Sequence, residues 1–104
     1  QDDRVGVIEE YLNKLLPTNW DNMNLYQRRN FLNGDPLAGT GSVLRTQVSN
    51  IEIWAECFNK TPSDMKPQDG YAITALMVQI PGWTRDKKTT RIPQYGVQRV
   101  YRKG

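Results

Sequence analysis

Histidine is absent from this sequence. Its absence removes the commonest general base, the usual catalytic triads and most zinc sites. Cysteine occurs once, as Cys57, which excludes an intrachain disulfide and a thiolate metal site and fits a reducing cytoplasm. No run of about 18 apolar residues occurs, so no membrane-spanning helix is expected, and no stretch of the sequence reads as a signal peptide. Internal repeats and low-complexity linkers are also missing. The stretch Gly34-Asp35-Pro36-Leu37-Ala38-Gly39-Thr40-Gly41-Ser42 has the glycine spacing of a phosphate loop. It carries Thr40-Gly41 where Lys-Ser/Thr is required, and no buried strand precedes it. The closest paired acids, Glu9-Glu10 and Glu52/Glu56, read as solvated faces or caps. Asn59-Lys60-Thr61 matches a glycosylation acceptor but is incidental in a cytoplasmic protein. The expectation is a domain with no catalytic residue, no cofactor and no metal.

What is present is a chain of 104 residues with 38% hydrophobic content and ten aromatics, three of them tryptophan. That is one domain, large enough to hold a core without staples. Each buried aromatic removes roughly 150–250 Å² from water, so Trp20, Trp54 and Trp83 count for more than their number. The chain begins with Gln1 rather than Met, which reads as a segment of a longer protein. Charge is distributed unevenly. Arg85, Lys87, Lys88, Arg91, Arg99, Arg102 and Lys103 face only Asp86, so the last twenty residues net +6 against +3 for the whole chain. Residues 1–40 net −2, six acids against four bases. The C-terminal end is therefore the one that would meet a polyanion.

Val5, Ile8, Leu12 and Leu15 or Leu16 recur at helical spacing, and Pro17 stops that first helix. A second helix begins at Asn24, with Gln27 as its capping partner, and ends near Gly34; Leu25, Phe31 and Leu32 are its apolar positions. Residues 42–48 suit a short strand. Ser49-Asn50-Ile51-Glu52 is a capping box that opens a third helix with Ile51, Trp54, Ala55 and Phe58 on one face. Thr61-Pro62 breaks it. Pro67 suits the first turn of a fourth helix with Ile73, Leu76, Met77 and Ile80 inward. Then follow a strand from Gly82 to Arg85, a projecting polar loop from Asp86 to Pro93, and a strand from Gln94 to Arg102. The expected fold is α+β, mostly α: a winged-helix-like core over residues 21–104, with residues 1–20 as an N-terminal helix extension.

In that arrangement the loop and last strand form a wing whose Arg85, Lys87, Lys88 and Arg91, backed by Arg99, Arg102 and Lys103, contact DNA phosphates. The alternative is a solvated hairpin with a cationic tail. The fourth helix would turn Lys66, Gln68, Asp69, Tyr71, Thr74 and Gln79 toward the major groove, with Lys66, Gln68 and Thr74 as the contacting residues. Asp69 and the lack of arginine on this face weigh toward a plain core helix. Trp83 and Tyr95 border the hairpin and either stack on bases or pack beneath it. Arg28-Arg29 reads as a solvated pair on an exposed face. A rival use of the chain is protein interaction, with Val5, Ile8, Leu12 and Leu15 packing on another domain or a second copy.

The run Arg45-Thr46-Gln47-Val48-Ser49-Asn50-Ile51-Glu52-Ile53-Trp54-Ala55-Glu56-Cys57-Phe58 is similar to the RTxVxxxEIWxECF segment near the C-terminus of the virulence-associated protein E family. Leu16-Pro17-Thr18-Asn19-Trp20, residues 25–32, Gly82-Trp83 and Tyr95-Gly96-Val97-Gln98-Arg99 resemble the same region, so the likeness runs from about Ile8 to Arg102. Ser49 and Ala55 stand where relatives commonly carry cysteine, which weakens any family metal site. The resemblance implies the C-terminal domain of a replication protein from phages, prophages or pathogenicity islands. The parent ATPase/helicase motifs would lie outside this chain, and so would a primase where one occurs. The partners implied are DNA and the parent ATPase domain, with self-association as a further option, within a bacterial cytoplasm.

Overall fold

Residues 2–104 are described by a computed structural model; position 1 of the expected N-terminal extension lies outside them. Helix α1 runs Asp3–Asn13, opened by Asp2, whose carboxylate accepts from the Arg4 amide at 2.9 Å. Val5, Ile8, Tyr11 and Leu12 are buried. The helix stops short of Pro17 because Leu16 leaves it to bridge Val43. Leu16 is therefore the inward residue, at 6% exposure against 42% for Leu15. Helix α2, Leu25–Leu32, carries the expected capping box, with Asn24 and Gln27 each accepting the other's amide at 2.9 Å.

Strand β1 is Gln47–Ser49. Helix α3, Asn50–Glu52, opens on the Ser49/Glu52 capping box and continues as a π-helical turn over Ile53–Cys57. The Phe58 amide bonds the Ile53 carbonyl at 3.0 Å, a wider loop than the α-helix makes. Every residue from Ile51 to Glu56 is buried, so this segment has no solvent face. Helix α4 is Pro67–Val78, with Ile73, Leu76 and Met77 inward and Ile80 buried just beyond its end.

Strands β2, Trp83–Ile92, and β3, Gly96–Lys103, complete an antiparallel sheet of order β1-β3-β2. The architecture is thus α+β, four helices and one three-stranded antiparallel sheet. The expected projecting loop at Asp86–Pro93 is corrected. Asp86 to Ile92 is strand, interrupted only by a bulge between Arg85 and Thr89 where the register shifts, and of the expected loop Pro93 alone lies in a turn. The reversal is a tight turn at residues 93–95, with Gln94 at φ 74° and Gly96 at φ 76°. It folds back onto the body: Gln94 Nε2 donates to the Asp21 carbonyl, and the Tyr95 hydroxyl reaches Glu56 at 2.6 Å. β-branched Thr89 and Thr90 and buried Ile92 keep the chain extended to that point.

The main core joins α1, β1, α3, α4 and β3 through Ile8, Val48, Ile53, Leu76 and Tyr101. A second cluster of Leu16, Trp20, Met23 and Phe31 sits under α2, with the Trp20 and Phe31 rings edge to face at 6.0 Å. Val5, Ile8 and Leu12 are spent inside this core. The expectation that Val5, Ile8 and Leu12 are free to pack on another domain or a second copy is therefore corrected, and of the four residues named for that role Leu15 alone is exposed, at 42%. Among the described residues, no helix is long and apolar enough to cross a membrane.

Candidate nucleic-acid interface

Register decides which hairpin cations share a face. Arg85 pairs with Tyr101, Thr89 with Arg99, Arg91 with Val97 and Trp83 with Lys103. Directly opposed residues point the same way, and alternate residues along β3 do too. Arg85, Arg91, Arg99 and Lys103 thus lie on the face that also carries Tyr101. That face meets α4, since the Tyr101 hydroxyl is 3.1 Å from Thr74 Oγ1. Arg102 pairs with Thr84 and Gln47 on the opposite face. Arg102 therefore does not share a face with Arg85, Arg91, Arg99 and Lys103.

Asp86, the one acid of the segment, acts as an anchor. Its carboxylate accepts from the Lys88 amide at 3.1 Å and from Arg102 Nε at 3.0 Å, and these two bonds hold its carboxyl below the ordinary value. Its carbonyl accepts from Arg99 Nε at 2.7 Å. Lys103 lies over the Trp83 ring at 5.6 Å. Lys87, Lys88 and Arg91 are exposed, and among the described residues no acid lies within ion-pair distance of them.

Arg85 and Thr74 are placed differently from expectation. Thr74 does not face outward. Its hydroxyl is 3.1 Å from Asn50 Nδ2 and 3.3 Å from Arg85 Nη1, besides its contact with Tyr101. It links α3, α4 and the sheet because Thr74 falls one turn beyond Gly70 on the flank facing Asn50, whose Nδ2 also donates to the Gly70 carbonyl. Arg85 is half-buried over the Tyr101 ring at 5.5 Å, and its Nε is buried without a hydrogen-bond partner. Lys66 and Gln68 are exposed as expected. Asp69 bonds the Lys66 amide at 2.9 Å, capping the helix rather than facing a ligand. The outer face of α4 is otherwise apolar: Tyr71 is 75% exposed and Val78 82%.

A buried charge cluster fixes the hairpin's other end. Arg28 and Glu56 have side chains 1% and 0% exposed and pair at 2.8 Å. Glu56 also accepts from the Tyr11 and Tyr95 hydroxyls, each at 2.6 Å. Arg28 forks onto the Trp20 carbonyl at 3.0 and 3.3 Å and lies 3.5 Å from Glu52. Arg45 stacks over the Tyr11 and Trp20 rings at 4.3 and 5.3 Å, 3.9 Å from Glu52, with its Nε and Nη2 unpartnered. Beside it a cavity of about 360 Å³ is lined by Trp20, Arg28, Arg45, Glu52 and Ile92.

Burial, then the nearby Glu56, raises the Glu52 carboxyl above its ordinary value. Burial likewise raises the Tyr11 and Tyr95 phenols and pushes the Cys57 thiol up to about 12. Two guanidinium and two carboxylate groups balance here, with Glu56 taking three fixed donors while Arg45 keeps two buried nitrogens without a partner. The reading of Arg28-Arg29 as a solvated pair and of Glu56 as a solvated or capping residue is corrected, while Glu52 caps α3 as expected and is buried as well. Arg29 donates to the Ala55 and Lys60 carbonyls. The available signal was two acids four apart in a segment otherwise apolar on every side. Compared with protein-family models and with curated proteins, the chain matches none.

Proposed function

We propose that the chain is a non-catalytic DNA-binding domain of winged-helix type that grips phosphates through its C-terminal hairpin. The observation that carries this reading is the row of Arg85, Arg91 and Arg99 on one hairpin face against α4, with Lys87 and Lys88 exposed at the bulge. Contacts of this kind give affinity and orientation without reading bases. The sheet order β1-β3-β2, with two helices between β1 and β2, supports the winged-helix assignment. The Arg45–Phe58 run supports a place in a mobile-element replication protein of the virulence-associated E type, working beside an ATPase in the bacterial cytoplasm. That same run supplies Arg45, Glu52 and Glu56 of the buried cluster.

A salt series of fluorescence anisotropy with labelled DNA tests the reading, comparing the parent chain with Lys87→Glu/Lys88→Glu/Arg91→Glu. The parent should show log K falling with log salt by about 0.9 per duplex phosphate neutralised. The variant should bind more weakly, with a slope shallower by about 0.9 for each phosphate it no longer neutralises. Equal affinity and slope for both proteins would overturn the proposal.

A further inference from the structure

We infer, building on the DNA-binding reading above, that the preferred ligand is single-stranded DNA, with Tyr71 as a stacking platform for a base beside the cationic hairpin face. Tyr71 is 75% exposed and Val78 82%, on a helix whose opposite side is fully packed. They stand three residues before and four residues after Thr74, so the three form one ridge on the helix surface. Thr74 carries the Arg85 guanidinium at 3.3 Å. An exposed aromatic ring and an aliphatic neighbour therefore border Arg85, and Arg99 and Arg91 continue outward along the same sheet face. A ring flanked by a cationic track is the arrangement that holds unpaired bases while following their phosphates.

Charge complementarity selects one strand over two. A helix lying in a major groove has a phosphate backbone on each side of it. The sheet side of α4 offers Arg85 and the hairpin cations. The far side offers Gln68, Ala72 and Gln79, all exposed and uncharged. The cations lining the hollow beyond are Arg4 and Lys60. Arg4 is paired with Asp2 at 2.7 Å, Lys60 lies over the Trp54 ring, and Asp69 lines the same hollow. Arg4 and Lys60 against Asp2 and Asp69 leave that hollow with no net charge, so Lys66 at the start of α4 is the cation a second backbone would meet near it. The exposed α4 face also holds no arginine to fork onto a guanine edge.

The experiment measures anisotropy of a labelled oligothymidine and of a mixed-sequence duplex of equal length, with the parent chain, Tyr71→Ala and Tyr71→Phe. The exposure of Tyr71 makes both variants fold as the parent does, which a thermal melt verifies. Tyr71→Ala should weaken oligothymidine binding about 5- to 140-fold, the loss of one stacked base. Tyr71→Phe should keep parent affinity, and the duplex should bind more weakly than the single strand. Absence of all DNA binding by the parent chain would remove the underlying reading and this one together. Binding that Tyr71→Ala leaves unchanged, or a duplex bound as tightly as the single strand, would overturn this inference and leave the first standing. Loss of concentration-dependent self-association in Tyr71→Ala, with DNA affinity intact, would reassign the ridge to a second copy of the chain.

Discussion

Replacing Glu56 by Gln keeps the side-chain volume and removes one buried charge. In the native arrangement its two oxygens take three donors: Tyr11 and Tyr95 at 2.6 Å each and Arg28 at 2.8 Å. An amide offers one acceptor oxygen and turns an NH₂ toward at least one of those donors. Arg28, 1% exposed, is left with Glu52 at 3.5 Å, a carboxylate that Arg45 also faces at 3.9 Å. Breaking a buried pair from one side costs about 3–5 kcal/mol. Domains of this size have about 5–15 kcal/mol in total, and about 1 kcal/mol shifts their Tm by about 4–8 °C. Glu56→Gln should therefore lower the Tm by about 12 °C or more. Urea unfolding followed by tryptophan fluorescence gives the free energy directly, with m unchanged if only stability has moved. The double variant Arg28→Met/Glu56→Gln should lose less than the two single losses added together, because the stranded charge is gone. A loss below about 1 kcal/mol in Glu56→Gln would refute the reasoning, since a mere surface pair behaves that way.

Thr74→Val should cost about 1–3 kcal/mol in the same urea assay, because Asn50, Tyr101 and Arg85 lose a shared partner; unchanged stability would return Thr74 to the solvent face. Glu52 gives a pH signature. Its carboxyl is raised above 4.5 in the fold, so the folded state holds that proton more tightly than the unfolded chain. Its contribution therefore favours folding at low pH and is lost as pH climbs from about 4.5 toward the raised value. The parent chain should lose stability relative to Glu52→Gln over that window, and parallel pH profiles would count against it. Gly41→Ala should lower the Tm through a strain of about 1–3 kcal/mol, since an added Cβ falls on the Leu15 carbonyl in a segment held by the Leu16–Val43 bridge; a Tm equal to the parent's would contradict that packing.

Features decided within a few residues were legible in the sequence. The Asn24/Gln27 and Ser49/Glu52 boxes set the starts of α2 and α3 through bonds between residues three apart. The inward faces of α1 and α4 followed from helical spacing in the same way. The hairpin was legible in its ends but not in its middle. Asp86-Lys87-Lys88 has the composition of a loop, and a bulge places such residues in a strand without breaking it. Arg28 and Glu56 were not legible as buried, because what makes their burial tolerable lies far off in sequence. Glu56 meets Arg28, Tyr95 and Tyr11 across 28, 39 and 45 residues. No local pattern encodes partners at that distance.

The buried cluster and the basic face belong to one mechanical unit. Tyr95 sits at the turn between β2 and β3, and its bond to Glu56 fixes that turn to α2 and α3. The opposite end of the hairpin is fixed by Tyr101 and Arg85 on Thr74 of α4. Arg91 and Arg99 lie between the two attachments. Their spacing from the α4 ridge is thus set by a strand held at both ends rather than by a free wing. In the proposed DNA-binding role, such a surface would present its cations without ordering a loop at the moment of binding, which lowers the entropic cost of association.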